Sequence, residues 1–129
     1  MAVPRAVEVI ARAVAELRPS IVYVHTAHDR DQDHRTAFDA TMIAAPEVSS
    51  LVCYQGSTAT VDYRPNRFVT IDGFTDAKLA MLACFARSGP KPRILEPELA
   101  LATARYWARF GQGTFCEPLE IIRESGEVG

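Results

Sequence analysis

Ser20-Ile-Val-Tyr-Val-His-Thr-Ala-His-Asp-Arg-Asp-Gln-Asp-His-Arg35 is the stretch that decides the fold. An apolar run ends abruptly in a loop that holds His25, His28 and His34, the three histidines of the chain, among Asp29, Asp31 and Asp33. Residues 20–25 read as a strand apolar on both faces, as in a parallel sheet. In open α/β sheets, ligands bind in the crevice outside the carboxyl ends of the strands. A His/Asp cluster there offers the nitrogen and oxygen donors that zinc prefers, or the acid and base of a hydrolytic reaction.

Upstream, Val7, Ile10, Ala11, Val14 and Leu17 recur at helical spacing behind Pro4, and Pro19 predicts where that helix stops. Downstream, Asp33 or a neighbour is placed to cap a helix running through Phe38, Met42 and Ala45 to a stop near Pro46. Leu51-Val-Cys-Tyr54 predicts a second buried strand, residues 55–66 a loop or irregular strand, and Arg67-Phe-Val-Thr-Ile71 a third strand ending at the turn signal Asp72-Gly73.

Residues 76–87 predict a helix with Leu79, Leu82, Ala83 and Ala86 on one face, ended by Ser88-Gly-Pro-Lys-Pro92. Pro97 opens another, with a core stripe of Leu99, Thr103, Tyr106, Trp107 and Phe110 and Gly111 as its C-cap. Residues 114–122 read as a last strand, which Pro118 places at a sheet edge. The result is an α/β chain, helix first, with few strands for its helices. Further strands of the sheet are expected to come from elsewhere.

A length of 129 residues is that of one domain, and 48% hydrophobic against 23% charged residues makes it globular. A net charge of −2 gives no electrostatic reason to expect nucleic acid or an anionic membrane as partner. Cys53, Cys84 and Cys116 form no Cys-x-x-Cys pair and read as reduced core thiols. No apolar run approaches a membrane span, and Glu8, Arg12 and Glu16 interrupt any signal-peptide core. The expectation is a soluble, cytoplasmic protein.

Within the cluster, His34 is the best metal-ligand candidate, because the start of a helix would hold its imidazole in one direction. Asp33 or Asp31 could accept its other ring N–H, as carboxylates do behind zinc-bound histidines. The spacing of the three histidines matches no compact zinc motif, and a solvated loop with helix-capping aspartates is the competing reading. A calcium loop fits poorly: His34 stands where its glycine is needed and Ala40 where its glutamate belongs. Ser57, Thr58 and Ser88 lie in no Gly-x-Ser-x-Gly setting, so a serine hydrolase finds no support. Residues 54–63 are polar enough to line a sugar pocket.

The run from Val22 to Arg35 resembles the signature of the LmbE-like, PIG-L-type zinc deacetylases, in which a strand ends in Thr-His and His-x-Asp-His follows shortly. Further similar stretches are Cys53-Tyr-Gln, Ser57-Thr-Ala-Thr-Val-Asp-Tyr-Arg-Pro65, Arg67-Phe-Val69, Leu95-Glu-Pro97, Ala104-Arg-Tyr-Trp-Ala-Arg-Phe-Gly111 and Glu117-Pro-Leu-Glu-Ile. The resemblance implies a three-layer, Rossmann-like fold and zinc-dependent hydrolysis of the amide of an N-acetylated sugar or glycoconjugate, such as N-acetylglucosamine.

Carried over, His34 matches the zinc-ligand histidine and Asp33 the aspartate before it, and these with Asp31 are the candidate metal and catalytic positions. His25, His28 and Asp29 are candidates for a supporting shell or substrate loop. Two departures stand out. Asp31 occupies the place of the motif's first histidine, which in the family assists the oxyanion or leaving group. The family's His-Pro-Asp-Asp-Glu motif, with the other zinc ligands and the general base, does not occur. The chain thus resembles the C-terminal half of the family's domain. It is expected to hold zinc weakly alone and to need a complementary chain or segment, or to self-associate. The alternative expectation is a non-catalytic, degenerate carbohydrate-binding or interaction module.

Overall fold

The decisive run and its loop fold as the first half of a β-α-β unit. The computed structural model describes residues 2–86 and 96–124. Its order is α1 (Val3–Leu17), β1 (Ile21–His25), α2 (Gln32–Ala44), β2 (Ser50–Tyr54), β3 (Arg67–Thr70), α3 (Thr75–Ala86), α4 (Pro97–Trp107) and β4 (Cys116–Arg123). This is the expected order, in a mixed α/β fold with a four-stranded mixed sheet. The expected breaker at residues 88–92, together with Arg87 and Leu95, lies outside the described residues. No helix among the described residues is long and apolar enough to cross a membrane. The chain divides into two compact units, Met1–Pro65 with Leu119–Gly129, and Asn66–Pro118.

In the first unit, β1 and β2 run parallel with Val22 opposite Leu51 and Val24 opposite Cys53. Val24, Leu51 and Cys53 form the core, and Ala37 and Phe38 of α2 pack on it. Burial, then Glu120, pushes the Cys53 thiol up to about 12, so this cysteine is an inert core side chain. Helix α1 packs on α2. It ends as Pro19 predicts, with Arg18 in the left-handed region at φ 47° and its N–H bonded to the Val14 carbonyl.

Two expectations for the strands are corrected. β1 is buried on one face only: Val24 packs into the core with Leu51 and Cys53, while Ile21 and Tyr23, which alternate to the opposite face, are exposed. β4 is not an edge strand, since the strand order places it between β2 and β3. Pro118 is tolerated because it precedes Leu119, the first residue in register with β2, so its missing N–H leaves that ladder intact. β4 also carries Arg123, whose Nε and Nη2 donate to the Val48 carbonyl at 3.0 and 2.8 Å, while Nη2 reaches the Ala45 carbonyl at 2.7 Å. A cation thereby closes the carboxyl end of α2, where helix carbonyls lack partners.

In the second unit, the turn signal Asp72-Gly73 gains a role beyond turning. The Asp72 carboxylate accepts the Thr114 N–H at 2.8 Å and the Phe115 N–H at 2.8 Å. Gly113 permits this at φ 89°; a Cβ there would stand 2.5 Å from the carboxylate. These two N–H groups, Thr114 first, hold the Asp72 carboxyl below its ordinary value. The aromatic stripe of α4 does pack, with Phe68 stacking on Trp107 at 5.9 Å, yet Tyr106 and Phe110 are about half exposed. Gly111 follows a 3-10 turn over Ala108–Phe110 and caps that turn, whereas Ala108 caps α4. On α3, Leu79 and Leu82 are half-buried, but Ala83 is exposed. Cys84 is exposed as well, unlike Cys53 and Cys116, which are core thiols as expected.

Replacing Arg123 with alanine is expected to cost about 1–3 kcal/mol, since it strips charged donors from part-buried carbonyls; urea denaturation measures this. For Asp72, a depressed native value means its stabilisation is present above the unfolded carboxyl value of about 4 and is lost as pH falls through the native one. The stability gap between the wild type and Asp72→Ala should therefore close on acidification, and a gap that widens would contradict this.

Candidate metal centre

The loop after β1 is folded by its own side chains. The parallel ladder continues one step past β1, with the Thr26 N–H donating to the Tyr54 carbonyl at 3.2 Å. Thr26 is fully buried, and its Oγ1 accepts the His28 N–H at 3.1 Å. Asp29 Oδ1 accepts the Asp31 N–H at 2.9 Å, and Asp31 Oδ1 accepts the N–H groups of Asp33 at 2.8 Å and His34 at 3.3 Å. Each acceptor turns the chain toward a backbone donor two residues on, and the last one caps α2. Arg35 Nη1 closes the loop by donating to the carbonyls of Asp29 and Arg30, both at 2.8 Å.

The loop after β2 is stitched alongside. Asp29 and Ala59 form a bridge, the Arg30 N–H donates to the Thr58 carbonyl at 3.1 Å, and the Thr60 N–H donates to the His28 carbonyl at 2.9 Å. These bonds bring His25, Asp29 and His34 together, with one potential ligand atom from each within 4.8 Å of the others. The three side chains form a group that could hold a metal ion.

The rings of His25 and His34 are stacked, with centroids 3.5 Å apart and planes 7° from parallel. His34 Nδ1 lies 3.2 Å from Asp29 Oδ2, and His34 Nε2 lies 3.9 Å from Asp31 Oδ2. A tetrahedral zinc with bonds of about 2.1 Å places its donors about 3.4 Å apart. Imidazole lone pairs lie in the ring plane, so an ion shared by both histidines requires one ring to turn out of the stack.

His25 Nδ1 is buried and has no hydrogen-bond partner. It faces Gly56, where a Cβ would stand only 2.8 Å away, so the chain approaches the imidazole closely there. Burial, and next His34, push the His25 imidazole below its ordinary value against the pull of Asp29 and Asp31. Burial works to raise the Asp29 carboxyl. The Thr58 hydroxyl, the Asp31 N–H and His34 outweigh it, and the group lies below its ordinary value.

Of the residues singled out from the sequence, His25, Asp29 and His34 converge, and Asp31 stands beside them as the α2 cap. Asp33 is exposed in the first turn of α2, and His28 is exposed outside the group. The carboxylate within hydrogen-bond distance of the His34 ring is Asp29, five residues back, and not Asp33 or Asp31, the two expected from the sequence. Thr58 and Gly56 lie in the stretch 54–63, polar enough to line a sugar pocket, but the sequence does not foretell their contacts with Asp29, His34 and His25. The cap expected of Asp33 or a neighbour is Asp31.

No family model and no curated protein sequence matches the chain. Solved structures do. The chain is similar to the conserved protein TT1542 from Thermus thermophilus at 27% identity and a TM-score of 0.76, over 97% of this chain and 61% of that one. It is also similar to GalB, the 4-carboxy-2-hydroxymuconate hydratase of Pseudomonas putida KT2440, at 18% identity and a TM-score of 0.66, over 98% of this chain and 62% of that one. The second likeness is one of fold. The chain spans about three-fifths of the length of both.

Gly56→Ala should push the His25 ring out of its stack on His34 and cost about 1–3 kcal/mol, as overpacking does. Ring proton shifts of the two histidines report the stack. Unchanged shifts in the variant would contradict this close approach.

Proposed function

We propose that this chain is the His-x-Asp-His-bearing portion of an LmbE-like, zinc-dependent deacetylase acting on an N-acetylated sugar or glycoconjugate. The observation that carries the reading is the placement of His34. It stands at the head of α2 beside the carboxyl end of β1, with a buried carboxylate on its Nδ1. Imidazole nitrogens are donors that zinc takes, and the orphaned Nδ1 of His25 leaves a donor to spare beside His34. His34 would hold the ion, with His25 as a further nitrogen if its ring turns. The chemistry expected of bound zinc is polarisation of the acetyl carbonyl and activation of a water.

The general base and the remaining ligands are supplied by a segment with the His-Pro-Asp-Asp-Glu motif. Two observations support such a complement. The similar structures are longer than this chain, and β1 ends the described sheet with Tyr23 56% exposed beside an open strand edge. A self-associated copy is the other way to cover that edge.

A second reading, a non-catalytic carbohydrate-binding or interaction module of the same fold, is favoured by one residue. Asp31 stands where the family has a histidine, and its Oδ1 is engaged in capping α2. An ionised carboxylate cannot donate the proton an imidazolium would, and it repels a developing oxyanion. The hydratase is a reminder that one fold hosts several reactions, so the site and not the fold carries this reading.

Release of free amine from N-acetylglucosamine conjugates, followed with fluorescamine, tests the proposal. The chain alone should give negligible product. A complementing segment with the His-Pro-Asp-Asp-Glu motif should restore turnover, His34→Ala should abolish it, and Asp31→His should raise it. Robust zinc-dependent turnover by the chain alone would contradict the need for a complement. No turnover from any combination, Asp31→His included, would favour the binding module.

A further inference from the structure

We propose that Thr58 and Asp29 fix the tautomer of His34, protonating Nδ1 and leaving Nε2 as the donor atom. Asp29 is then a positioning residue and not a ligand. The protons around Nδ1 can be counted. The Thr58 hydroxyl has one proton, and its 2.6 Å contact with Asp29 Oδ1 uses it. The Asp31 N–H donates to the same oxygen at 2.9 Å. Two donors thus point at Asp29, and a carboxylate is an acceptor only, with no proton to give.

Two atoms face His34 Nδ1: Asp29 Oδ2 at 3.2 Å and Thr58 Oγ1 at 3.3 Å. One is a bare carboxylate oxygen, and the other is a hydroxyl oxygen whose proton is committed elsewhere. Both can only accept. Nδ1 must therefore carry the proton, and in a neutral imidazole the lone pair then belongs to Nε2. Nε2 lies 3.9 Å from Asp31 Oδ2, beyond hydrogen-bond distance, and the Asp31 side chain is 42% exposed.

Thr58 is held for this task by its own backbone, whose carbonyl accepts the Arg30 N–H at 3.1 Å and Arg30 Nε at 3.4 Å. A carboxylate behind an imidazole raises the basicity of the outward nitrogen and fixes the ring, as it does behind zinc-bound histidines. The tautomer stands on geometry alone; its use in presenting a metal donor rests on the deacetylase reading.

Long-range proton–nitrogen correlation spectra of the full chain, taken at about pH 8.5 where a histidine ring is neutral, decide the matter. The wild type should show His34 with Nδ1–H and a bare Nε2. Thr58→Val should shift it toward Nε2–H, and Thr58→Ser should restore the wild-type pattern. Nε2–H in the wild type overturns the proposal, with or without a folded valine variant. An unchanged tautomer in Thr58→Val overturns the part given to Thr58. In a zinc titration of the same samples, Thr58→Val should bind about 10- to 100-fold more weakly than Thr58→Ser, and equal affinities would count against it. Absence of zinc binding in every sample would refute the deacetylase reading and leave the tautomer result as it stands.

Discussion

The buried carboxylate of Asp29 is the constraint on which the candidate site depends. It is 3% exposed and engages Thr58, the Asp31 N–H and His34, while its backbone bridges to Ala59. A buried charge without such partners is costly, so the surrounding donors are conditions for its burial. One side chain thereby ties the loop after β1 to the loop after β2 and sets the direction of an imidazole. Removing it would leave the two loops joined by their backbone bonds alone and the imidazole of His34 without its carboxylate partner.

That arrangement follows from the β1–α2–β2 unit. Parallel pairing brings the carboxyl ends of β1 and β2 side by side, with His25 in register with Tyr54. The loops leaving those ends must then meet, and the helix that begins at Gln32 presents its first turn to the same place. The location agrees with the general rule that α/β sheets bind at the carboxyl ends of their strands. The sheet supplies position, and the side chains of the loop supply shape.

Much of this was readable from the sequence because it rests on local signals. Helix α1 stops at Arg18 because Pro19 follows, and Pro97 opens α4. The cluster itself was visible as histidines and aspartates after an apolar run. What escaped depends on partners distant in the chain. Pro118 suggested an edge strand, but which strand pairs beyond Leu119 is a matter of topology. Asp33 and Asp31, the carboxylates nearest His34 in sequence, are respectively exposed in the first turn of α2 and engaged in capping it, and Asp29 takes the place beside Nδ1. Thr58 reaches the site across a sequence separation of 29 residues from Asp29, which no local pattern encodes.

In the proposed reading, His34 is the metal donor of a group folded by Asp29. The most direct measurement is a zinc titration of the labelled chain to millimolar concentration, followed through the side-chain resonances of its three histidines. The account predicts that His34 responds first, with His25 perturbed as its stacked neighbour, and that exposed His28 stays silent. A response led by His28, or none at His34, would contradict it.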